Sequence, residues 1–110
     1  MKKLQIFPFE CDFSGQNYSF KGQVLNMSQK GFICNTGSQI VRTSASLKAK
    51  FTLPMTTSVQ EVEVVAFKTY DKFSGTKERD HITEFMFKSP SETFRSTMIQ
   101  FMAHIQAYLT

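Results

Sequence analysis

The chain contains no tryptophan, and in 110 residues it has two cysteines, three prolines and five glycines. Cys11 and Cys34 are too few for the disulfide framework of a small secreted domain, and neither belongs to a Cys-x-x-Cys pair. So few glycines and prolines exclude collagen-like and low-complexity chains. Arginine is scarce as well: Arg42, Arg79 and Arg95 stand among 13 lysines and arginines in all. No apolar run approaches the ~20 residues that a membrane helix needs. The first residues, MKKLQIFPFE, imitate a secretory signal, but Gln5 and Pro8 break the apolar stretch, Glu10 ends it, and no small-residue cleavage site follows. The expectation is one domain over residues 1–110, cytoplasmic, with both thiols reduced.

Catalytic signatures are missing too. No Ser-His-Asp, Cys-His or paired-carboxylate arrangement stands out, and there is no glycine-rich phosphate loop. His81 and His104 have no carboxylate or cysteine at ligand spacing. These absences speak against an enzyme, a metal site and a bound cofactor. What the chain does have is twelve Phe and six Met within a hydrophobic content of 41%, and a net charge of +4 with a pI near 9.2. That charge mildly favours an anionic partner.

Alternation with period two dominates and predicts half-buried strands. Tyr18, Phe20, Gly22 and Val24 alternate with polar residues over 17–24, as do Leu47, Ala49, Phe51 and Leu53 over 46–53. Residues 59–67 and 81–88 follow less regularly, 4–13 form a weaker opening strand around Pro8, and 31–34 a short one. The polar stretch Thr69 to Asp80 reads as a long hairpin loop. Near the C-terminus the period changes. Ser89-Pro90-Ser91-Glu92 has the form of a capping box with Ser89 as N-cap. Phe94, Met98, Phe101, Ile105 and Tyr108 then make one broad apolar stripe, widened by Met102 and Leu109. The prediction is mainly β: strands over about 4–88 closed into an antiparallel barrel of about six strands, and a C-terminal α-helix over about 90–109.

Between two apolar runs lies VLNMSQKGFIC, residues 24–34. Asn26, Ser28 and Gly31 are common turn residues, and a hairpin corner with side-chain bonds to its own backbone explains them simply. In its strand context, however, Asn26-x-Ser28-x-x-Gly31 resembles the PilZ domain of bacteria, whose pattern here is Asp or Asn, x, Ser, x, x, Gly. Phe51-Thr52-Leu53-Pro54 is similar to the next barrel strand of that family, Phe85-Met86-Phe87 to its last, and many members end in a helix. The resemblance implies a six-stranded barrel that is a receptor for cyclic di-GMP. Asn26 and Ser28 would hydrogen-bond a guanine, and Gly31 would let the backbone come close.

The family also carries an Arg-x-x-x-Arg pair before the first strand. This chain has no arginine before Arg42. Lys2, Lys3, Lys21 and Lys30 are the candidate phosphate contacts in its place. Lysine brings charge without the guanidinium fork or its stacking plane. Two readings follow: a signalling module that binds cyclic di-GMP and regulates motility, attachment or exopolysaccharide through a protein partner, and an adaptor that works by protein contacts alone. A third, an OB-like binder of single-stranded nucleic acid, needs aromatics and lysines on an outer strand face. Tyr18, Phe20 and Phe51 fall on faces expected to look inward.

Overall fold

The computed structural model describes residues 7–73 and 79–109, with side chains for 7–70 and 80–105. Six antiparallel strands close into a barrel in the order β1-β2-β3-β6-β5-β4. They are β1 Phe9–Ser14, β2 Ser19–Met27, β3 Gly31–Gly37, β4 Ser46–Thr52, β5 Val59–Phe73 and β6 Arg79–Phe87, followed by helix α1, Glu92–Leu109. Closure gives every strand a neighbour on each side along the barrel, which suits strands whose apolar residues face one side only.

The alternation is what closes the core. β4 is buried at every second residue, with Leu47, Ala49 and Phe51 inside, and Val24, Cys34, Val64 and Ala66 fill the interior from other strands. Phenylalanine rings form a continuous chain of contacts: Phe13 stacks 4.9 Å from both Phe20 and Phe85, Phe85 lies tilted 5.3 Å from Phe32, Phe32 tilted 5.9 Å from Phe87, and Phe87 edge-on 4.9 Å from Phe94 of α1. Phe94, Met98, Phe101 and Ile105 are buried in the same core. Burying each is worth roughly 1.5–3 kcal/mol, so α1 is held by its stripe rather than by helix propensity. Phe94 meets Phe87 at the end of β6, so the helix starts from the barrel end that carries the β2–β3 corner. No helix among the described residues is long and apolar enough to cross a membrane.

Four expectations need correction. The helix begins at Glu92, and its cap is Ser91, whose Oγ accepts the Phe94 N–H at 3.1 Å. Ser89 instead takes a positive φ of 44° and turns the chain from β6 toward the helix. Tyr18 is 45% exposed and stacks on Phe20 at the open end rather than entering the core. β3 runs three residues past Cys34 to Gly37. Finally, Thr69 to Asp80 is mostly ladder: β5 and β6 pair as far as Phe73 with Arg79. β4 leaves β5 at Val65 and β3 leaves β6 at His81, so beyond the pairing of Asp71 with His81 the hairpin runs on alone.

Both cysteines are buried in the barrel and free. Burial pushes the Cys34 thiol up to about 12 and the Cys11 thiol higher still. Thiols so protonated are poor nucleophiles and metal ligands, and they act as small apolar core residues.

Candidate functional site

The corner is set by a break in strand parity. Val24 points inward, and strict alternation would send Asn26 inward after it. A bulge between Val24 and Asn26 adds Leu25 as an extra residue and reverses the parity. Asn26 is therefore exposed while Met27 returns to the core. The Asn26 Oδ1 accepts the Met27 N–H at 2.9 Å, which fixes the side chain and turns its amide group outward as a donor.

The turn itself is tight. The Ser28 N–H donates to the Gly31 carbonyl at 2.8 Å, Ser28 Oγ accepts the Lys30 N–H at 3.2 Å, and the Phe87 N–H donates to the Lys30 carbonyl at 2.9 Å. Ser28 is thus partly committed to holding the corner, in line with the plain turn reading. Gly31 has a separate reason to be glycine. A Cβ there would collide with the Phe85 carbonyl oxygen and stand 3.0 Å from Met86 Cα. β3 and β6 approach too closely at this point for any side chain.

Beside the corner a groove of about 270 Å³ opens on the outer barrel face. Asn26, Ser28 and Lys30 form one wall, Gly31 and Ile33 lie along the floor, and Phe67, Glu84 and Met86 of β5 and β6 form the other wall. The volume is just below the lower end of the range for small-molecule sites, room for one flat ring system rather than a whole dinucleotide. Phe67 and Met86 are each 46% exposed. The opposite outer face is different in kind, since Lys21 pairs with Glu10 at 3.4 Å and Lys48 with Glu61 at 3.1 Å.

No family model matches the sequence, and no curated protein matches it. Among solved structures, the PilZ domain with c-di-GMP (cyclic di-GMP) of YcgR from Escherichia coli is similar, with a TM-score of 0.71 and 12% sequence identity over 87% of this chain and 79% of that one. The chain has the PilZ fold.

In this PilZ barrel Asn26, Ser28 and Gly31 come together at one corner, and Lys30 lines the groove with them. Lys21 does not, because it lies five residues back along β2, roughly 16 Å away, paired with Glu10. Lys2 and Lys3 lie outside the described residues, although the chain enters β1 at the corner's end of the barrel, next to β2. Among the described residues no arginine lines the groove. Sequence reasoning missed Phe67, Glu84 and Met86. A signal was present in Met86, an exposed apolar residue at an outward position of β6. That β6 lies against β3 is a pairing over some fifty residues, which local pattern does not reveal.

Proposed function

We propose that this chain is a small PilZ-like signalling module of bacteria, cytoplasmic and a binding module rather than an enzyme. It takes cyclic di-GMP at the Asn26, Ser28 and Gly31 corner and regulates motility, attachment or exopolysaccharide through a protein partner. The observation that carries this reading is the corner groove. The bulge at Leu25 turns Asn26 out to the rim of a cavity sized for one base, at the place where the PilZ resemblance assigns a guanine. The similar E. coli domain was solved with c-di-GMP. Lys30 is the cation at hand for a phosphate.

The absence of arginine from the groove among the described residues favours the second reading, an adaptor that does not bind the nucleotide and uses the exposed Phe67 and Met86 face on a protein. Each charge-assisted hydrogen bond to phosphate is worth about 1.5–3 kcal/mol, so the lack of two guanidinium forks weakens any binding by orders of magnitude. The OB-like reading is set aside with the PilZ fold.

Calorimetric titration of the full chain with cyclic di-GMP separates the two. The receptor reading expects binding in the micromolar range, weakened at least tenfold by Asn26→Ala and at higher salt. No heat at millimolar ligand overturns it and leaves the adaptor.

A further inference from the structure

The groove holds a single carboxylate among its described residues, and its place is unusual for a site meant for an anion. Asn26 pairs with Ile33 and Ile33 with Glu84, so these three stand in one row across β2, β3 and β6. Two strand spacings of about 4.8 Å set the Asn26 and Glu84 backbones roughly 10 Å apart. That width admits a purine with a hydrogen bond at each edge. Phe67 and Met86, half exposed, offer apolar surface for a ring face. Lys68 Nζ stands 3.9 Å from one Glu84 oxygen, and the Glu84 side chain is 23% exposed. A carboxylate accepts at several lone pairs, so Lys68 leaves acceptor capacity facing the groove.

We infer that Glu84 is a specificity-determining residue of this groove, accepting hydrogen bonds from the N1–H and N2–H₂ of a guanine whose other edge faces the Asn26 amide. The inference rests on the proposal that the corner binds cyclic di-GMP. Guanine presents two neighbouring donors to a carboxylate, whereas adenine presents the lone pair of its unprotonated N1, which the charge repels. Asn26 completes the choice, because an amide N–H suits the O6 and N7 acceptors of guanine. Selection for guanine then comes from an acceptor on β6. The phosphates lie away from Glu84, toward Lys30 and the corner.

The sign of one substitution decides between this role and plain repulsion of a phosphate. The full chain, Glu84→Gln and Glu84→Ala are titrated with cyclic di-GMP and with cyclic di-AMP, and each variant is checked by thermal melting. Wild type is expected to prefer cyclic di-GMP at least tenfold. Both variants are expected to lose about tenfold or more for cyclic di-GMP, with little change for cyclic di-AMP, alanine losing at least as much because the glutamine carbonyl still accepts one bond. If both folded variants bind cyclic di-GMP as tightly as wild type or tighter, Glu84 does not read the base. That result, together with loss in Asn26→Ala, removes only the role of Glu84 and keeps the receptor. A wild type that binds neither dinucleotide overturns the receptor reading and this inference with it.

Discussion

Phe13→Ala is expected to cost about 3–5 kcal/mol and to lower the melting temperature by roughly 15 °C or more. Phe13 is buried at the centre of the ring stack, 4.9 Å from Phe20, 4.9 Å from Phe85 and 6.0 Å from Phe32. Its loss leaves a cavity that closed strands cannot easily collapse into, in a domain whose whole stability is about 5–15 kcal/mol. Phe67→Ala provides the comparison, since Phe67 is 46% exposed on the outer face and its removal should barely move the melt. Equal effects of the two substitutions would contradict the assignment of Phe67 to a surface groove and Phe13 to the core.

The second large effect is expected at Gly31. Gly31→Ala places a methyl group against the Phe85 carbonyl oxygen and 2.9 Å from the Phe85 carbonyl carbon. The obstacle is backbone within a paired strand, which cannot swing aside as a side-chain tip can. β3 must part from β6, at a cost of about 3 kcal/mol. Gly37→Ala separates collision from backbone strain: Gly37 has a φ of 63° with nothing within 4 Å of an added Cβ, so about 1 kcal/mol is expected. Chemical denaturation of both variants checks this. A Gly31→Ala protein as stable as wild type would mean that the strands relax around the added methyl and that the close approach is not what requires glycine there.

The corner was legible before its geometry was. Residue types at a turn are local, and Asn26, Ser28 and Gly31 stand out in a linear reading. The alternation of Leu47, Ala49 and Phe51 and the stripe through Phe94, Met98, Phe101 and Ile105 are local too, and they announced a barrel with a closing helix. The bulge at Leu25 is not announced by any residue type, yet it decides whether Asn26 faces the core or the groove. Ser89 and Ser91 offer equivalent caps by composition, and the turn out of β6 decides in favour of Ser91. The polar stretch after Lys68 hid a ladder because its residues carry no period-two alternation, and the pairing shows only once β5 meets β6. Glu84 lay out of reach for a third reason: its place in the groove depends on β3 meeting β6, and that pairing exists only once the barrel closes.

The central claim, that cyclic di-GMP binds in the corner groove, is tested most directly by mapping backbone amide chemical shifts during a titration with the dinucleotide. The prediction is a contiguous set of shifts at Asn26, Ser28, Lys30, Ile33, Glu84 and Met86, and none at Glu10, Lys21 or Lys50 on the other side of the barrel. Shifts confined to that other face, or no shifts at millimolar ligand, would contradict it.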